Sequence, residues 1–180
     1  MVSQIVEHRV VHVEKKIALI PRVMMKGAMG PKDYGLLITD RRSVFVLEKA
    51  SKAALLGVLG DALLSDKKTF DYASEDIEKL ASDDNNTVVP HEGIQKLHLK
   101  KGFSSYTMSN SYTLLVDYTD TAGKSRAVKA FLTPTNEYLA LKKQEGVDKK
   151  TAIEEYARSA RKAFEQALGA SAAGRAEWDL

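Results

Sequence analysis

Four histidines are the natural starting point for any chemistry in this chain: His8, His12, His91 and His98. His8 and His12 are four residues apart, which places them on one side of either a helix or a strand. With Glu14 they could begin a metal site, but there is no H-E-x-x-H pair, and His91 and His98 would have to be brought in by the fold. A loose polar strand accounts for the same residues, and no metal is expected. The chain contains no cysteine. That removes disulfides, thiolate nucleophiles, iron–sulfur clusters and cysteine-based zinc sites together. No serine lies in G-x-S-x-G, and no two carboxylates stand out as an acid–base couple. Gly27-Ala28-Met29-Gly30-Pro31-Lys32 lacks the spacing of a phosphate-binding loop. Asp83-Asp84-Asn85-Asn86 is rich in oxygen but lacks the calcium-loop pattern of acids, glycine and final glutamate. These patterns predict a protein without a cofactor and without catalytic residues.

The basic residues offer a second kind of chemistry. Lys96, Lys100, Lys101, Arg126 and Lys129 fall on predicted strands of the second half, with Phe103 and Tyr106 close behind. Alternation puts Lys96 and Lys100 on one face. A basic sheet face beside aromatics can bind an anionic headgroup or a single nucleic-acid strand, whereas an ordinary solvated face carries the same residues. The net charge is +3, and its distribution says more than its sum. Residues 71–92 hold one lysine and seven acids, while residues 93–133 hold six basic residues and two acids. A basic body therefore carries an acidic insert, and nucleic acid is not expected as the partner.

These residues must be positioned by elements, and the length of 180 residues allows about one domain. Apolar residues at 44% and charged residues at 28% are ordinary for a globular protein. The start of the chain has no apolar stretch of signal-peptide length, and a cysteine-free chain fits a reducing compartment. The expected location is cytoplasmic. The densest apolar run, 53–64, is too short to span a bilayer, so no transmembrane segment is expected. Its Leu55, Leu56, Leu59 and Leu63 face nearly every side of a helix, and lysines flank it. Such a helix must be covered, by protein through self-association or internal packing, or by a membrane surface. Self-association or internal packing is favoured over a membrane, because Gly57 and Gly60 allow a close second backbone and the run lacks Trp and Phe.

Strands are predicted over 16–26, 34–39, 42–47, 94–100, 111–118 and 125–132, as two antiparallel meanders. Pro21 marks an edge or a bulge in the first. Asp40-Arg41 and Asp120–Gly123 are turns, and 27–33 is a turn-rich break. Ser74 precedes a short acidic helix whose apolar residues are Ile77, Leu80 and Ala81. Thr133-Pro134 is the predicted start of a helix to 144, stopped by Gly146. A second helix, 151–168, opens on a Thr151/Glu154 capping box and carries the longest apolar stripe in the chain. The segment 169–180 is expected to be a disordered tail.

Two motifs tie these elements to a family. Tyr34-Gly35-Leu36-Leu37-Ile38-Thr39-Asp40-Arg41-Arg42 is similar to the "G-x-L-x-L-T-x-x-R" hairpin of bacterial and archaeal pleckstrin-homology-like (PH-like), GRAM-like domains. Val89-Pro90-His91-Glu92-Gly93-Ile94 is similar to the "I-P-x-x-x-I" stretch leading into their fifth strand. The resemblance covers residues 10–145. It implies an α+β fold: a PH-like antiparallel β-barrel of two sheets, here with a helical insert at about 50–86 and two C-terminal helices. The first of these helices would plug the barrel, leaving the additional helix in 146–168 to pack on the insert or on a neighbouring chain. Leu36, Ile38, Phe45, Leu114, Val116, Val128, Ala130 and Phe131 are expected to line the interior. The function implied is a non-enzymatic binding or assembly module, with a protein or a lipid headgroup as the kind of ligand. The alternatives are a peripheral membrane module docking through 53–64 and, more remotely, a nucleic-acid binder.

Overall fold

The computed structural model describes residues 13–27, 30–48, 76–104 and 109–180. The apolar run 53–64, with Leu55, Leu56, Leu59 and Leu63, lies outside the described residues, as do His8, His12, Ser74 and Tyr106. The fold is α+β and mostly sheet. Its strands are β1 (Lys16–Gly27), β2 (Gly30–Thr39), β3 (Arg42–Leu47), β4 (Thr87–Pro90), β5 (Ile94–Ser104), β6 (Ser109–Thr119), β7 (Ser125–Leu132) and β8 (Ala176–Trp178). Among the described residues the α-helices are α1 (Ile77–Ala81), α2 (Asn136–Gln144) and α3 (Lys149–Ala172).

Hydrogen bonding runs through all eight strands as one sheet in the order β4-β3-β2-β1-β7-β6-β5-β8. Two antiparallel meanders are thus joined where β1 meets β7, over only Val23–Met25 against Ala130–Leu132. The expectation of a barrel of two sheets is corrected on this point: hydrogen bonding makes one continuous sheet. Pro21 sits where β1 slips register against β2, between Ile20 and Val23. A residue without an amide hydrogen cannot hold a ladder position there, so the strand bulges, as the sequence suggested. The break at 27–33 is tighter than its turn residues imply, because Gly27 already pairs with Gly30.

Alternation along the strands sends one set of side chains to a common core. Leu36, Ile38, Phe45, Leu97, Leu99, Leu114, Val116, Val128 and Ala130 all belong to it. Phe131 does not: it is buried, but its register with Thr113 and Met24 places it on the opposite face, one residue out of step with Ala130. A smaller cluster of Leu37, Val44, Val46 and Leu80 lies behind β2 and β3, where Ile77 and Ala81 of α1 complete it.

α3, rather than α2, supplies the helix that fills the core. α2 buries no residue, and its Leu141 is 53% exposed. α3 fills the core instead, through Tyr156, Ala157, Ala160, Ala163 and Phe164. The stripe on α3 runs for several turns, whereas α2 offers only Tyr138, Leu139 and Leu141, so the larger apolar area wins the sheet. Tyr156 fixes the seat. Its hydroxyl donates to the Arg22 carbonyl at 3.0 Å and accepts from the Arg22 amide at 2.9 Å, replacing ladder bonds lost at the bulge. Burial pushes the Tyr156 phenol up to about 12.

The helix ends differ in detail from the sequence reading. The cap of α2 is Thr135 rather than Thr133, its hydroxyl accepting from the Tyr138 amide at 3.1 Å. Asp148, not Thr151, caps α3, accepting from the amides of Lys150 and Thr151 at 2.9 and 3.1 Å. Gly146 stops α2 as expected, at φ 80°, with the amides of Gly146 and Val147 bonded back to Lys143 and Lys142. This is the paired arrangement that closes a helix through a left-handed glycine. The segment 169–180 is not a disordered tail. α3 breaks at Gly169, where φ is 57° and ψ is −164°, and the chain returns as β8.

Candidate functional site

β5 is flanked by β6 on one side and by β8 on the other, so β8 covers what would otherwise be a bare edge. β8 pairs in parallel, Leu97 with Ala176, His98 with Glu177 and Leu99 with Trp178. The Asp179 amide donates to the Leu99 carbonyl at 2.9 Å, and Arg175 Nη1 donates to the Ile94 carbonyl at 2.9 Å. Side chains then sort by period two. Ala176, Trp178 and Leu180 pack against the core. Glu177 and Asp179 face outward, toward Lys96 and His98 of β5. Lys96 Nζ lies 3.3 Å from Glu177, and His98 Nε2 lies 3.1 Å from Asp179. His98 Nδ1 is also 3.6 Å from Glu177. Arg161 of α3 places its guanidinium carbon 5.7 Å from the centre of the Trp178 ring. The result is a groove between β5 and α3, occupied by an extended segment of alternating apolar and acidic residues.

The basic residues singled out in the sequence divide between faces. Register puts Lys96, Lys100 and Lys129 on the outer face, with Lys101 and Arg126 at core-side positions near strand ends. Lys100 and Lys129 flank the row through Thr113 and Phe131, and Lys129 Nζ stands 5.3 Å from the Phe131 ring centre. Lys101 Nζ is 6.0 Å from the Tyr112 ring centre. Arg126 is engaged by Asp120 at 3.0 Å, inside the β6–β7 turn. Lys96 is held by Glu177, and Asp117 is its register partner on β6. The expected face is therefore interrupted by carboxylates. Phe103 is part of β5 and 62% exposed.

The remaining candidates are tied into structure. Glu14 accepts from Arg42 Nε at 3.0 Å and from Arg42 Nη2 at 2.5 Å, and Thr39 Oγ1 donates to it at 2.6 Å. The amides of Arg41 and Arg42 donate to Thr39 Oγ1 in turn, and Arg42 Nη2, which also donates to Glu14, pairs with Glu78 of α1. Burial raises the Glu14 pKa, and the bonds from Arg42 and Thr39 more than reverse this, holding it below the usual range. The Thr39 and Arg42 of the hairpin motif thus build a turn and anchor residues 14–15, and Glu14 is engaged by Arg42. His91 is buried with Nε2 2.9 Å from Ser43 Oγ, while its Nδ1 has no partner. Desolvation lowers its pKa to about 4. The tautomer protonated on Nε2 leaves only a lone pair at the unpartnered atom, the cheaper group to bury. Among the described residues no carboxylate bonds this ring, and Ser43 is 1% exposed, so the pair packs inside the fold. Among the described residues no group of three or more metal-ligating side chains occurs, and no helix is long and apolar enough to cross a membrane.

Comparison with known proteins adds little that is specific. No family model matches the chain, and no curated protein matches it. Among solved structures, the chain is similar in outline to the hSac2 domain from human phosphoinositide phosphatase Sac2, at 8% identity and a TM-score of 0.48. That alignment covers 92% of this chain and 76% of the other.

The occupied groove was missed in the sequence. Its signal was present in Ala176-Glu177-Trp178-Asp179-Leu180, where apolar and acidic residues alternate with period two.

Proposed function

We propose that the chain is a non-enzymatic PH-like binding or assembly module whose recognition element is the groove between β5 and α3. The supporting observation is the seat of residues 176–180: backbone pairing to β5, apolar side chains inward, acids outward on Lys96 and His98. Strand addition of this kind draws affinity from main-chain bonds and specificity from alternate side chains. The two meanders joined through β1 and β7, with a helix across their inner face, support the PH-like reading. The groove would accept an extended segment with an aromatic residue between two acids.

A peptide of residues 174–180 with a fluorescent label tests this against the full chain carrying Trp178→Ala, which weakens the resident segment. Saturable anisotropy is expected, and should be lost when the peptide's own tryptophan is replaced by alanine. A folded Trp178→Ala chain that gives no saturable signal would refute the groove as a binding site. Glu177→Lys serves the same purpose should Trp178→Ala unfold.

A further inference from the structure

We infer that the β5–α3 groove accepts residues 176–180 of a second copy of the chain, so that two copies assemble by exchanging this segment. The inference rests on the groove being a binding site and adds the partner. Three observations carry it. First, the segment is complementary to a surface that every copy possesses, in charge and in apolar period alike: Glu177 and Asp179 meet Lys96 and His98, and Trp178 meets Arg161. A partner of identical sequence makes the same contacts, so exchange adds no new unfavourable interface. Second, the segment is joined to the body by a break rather than a continuous helix. Gly169 at φ 57° lies in the left-handed region, and the residues 170–175 between it and β8 can span about 20 Å when extended. Third, the hold is short. Only Ala176–Trp178 are in register with β5, and the Lys96–Glu177 ion pair is at the surface, where it is worth little.

Binding within one chain benefits from a local concentration of about millimolar for a short linker, so exchange grows with protein concentration. The absence of native cysteine allows a clean covalent readout. His98 and Glu177 are register partners, and neighbouring strands about 4.8 Å apart lie within disulfide reach. Full chains carrying His98→Cys and Glu177→Cys singly are mixed near millimolar concentration and oxidised. Disulfide-linked heterodimer is expected at least fivefold above a control mixture of His98→Cys with Lys162→Cys, an exposed position on α3. The chain with both substitutions, diluted, should close within itself. If it closes but the mixed chains give no more dimer than the control, exchange is refuted and the groove stands. If it does not close, the seat of residues 176–180 is wrong and both readings fall. Glu177 is exposed and His98 is half-buried outside the core cluster, so both substitutions leave the core intact, and circular dichroism confirms folding of each chain before mixing.

Discussion

Gly93 shows how little room the turn between β4 and β5 leaves. A Cβ there would come within 2.2 Å of the Thr119 carbonyl oxygen, a backbone atom that cannot swing aside. Gly93→Ala should therefore lower stability by about 1–3 kcal/mol, the usual penalty for overpacking. A melting curve checks this, and an unchanged midpoint would mean that the turn sits away from β6. Beside it, His91 should shape the response to acid. Its folded pKa is lowered from 6.5 to about 4 by burial, so the unfolded chain binds more protons between those values. Stability is then fully present above about pH 6.5 and declines as pH falls toward 4, by at most on the order of 3 kcal/mol. Replacing His91 with Gln should flatten that part of the stability–pH profile. If both proteins show the same slope over this window, the ring is not buried neutral. The sequence announced neither residue's role. His91 stood out only as a ligating type, and what fixes its chemistry is Ser43, 48 positions away, which register alone brings to it. Thr39 and Arg42 were legible as hairpin grammar, but their shared partner Glu14 was not, because a contact 25 and 28 residues distant leaves no local pattern.

Among the elements, strands were easier to read than helix packing. Residues 125–132 match β7 end to end, because Val128, Ala130 and Leu132 alternate cleanly and Gly123 marks the turn before them. β4 was overlooked, since four residues ending in proline carry too little period. The stripe on α3 was visible, but its destination was not. A sequence shows that a face must be covered, not by what. The assignment of α3 to the core makes a sharp contrast testable. Phe164 is 1% exposed, and Phe164→Ala should cost about 3–5 kcal/mol. Leu141→Ala on α2 should change stability by less than about 0.5 kcal/mol. Thermal or denaturant unfolding of the two variants decides the matter; equal losses would return α2 to the interior. Gly169→Ala is also expected to destabilise, since the Cβ has open space but the backbone lies in the left-handed region.

At the scale of the whole molecule, one sheet is held together by two different attachments. The β1–β7 junction is short, and α3 bridges both meanders beneath it through Tyr156, which bonds to β1, and Phe164 in the core. The far edge is completed by residues 176–180, which come from beyond the last helix. The alternation in that segment was legible but brief, and a composition of small and charged residues around it reads as a frayed end. Its order comes from β5, whose edge amides and carbonyls need partners that the sequence does not place nearby. The central claim is that β5 captures this segment, and Trp178 reports on it directly because it is the chain's single tryptophan. Its emission in the native protein, followed under acrylamide quenching, measures whether the ring is seated between β5 and Arg161. The account predicts blue-shifted emission with quenching several-fold weaker than in denaturant, and a marked loss of that protection when Arg161→Ala removes the guanidinium over the ring. Native emission and quenching indistinguishable from the denatured chain would contradict it.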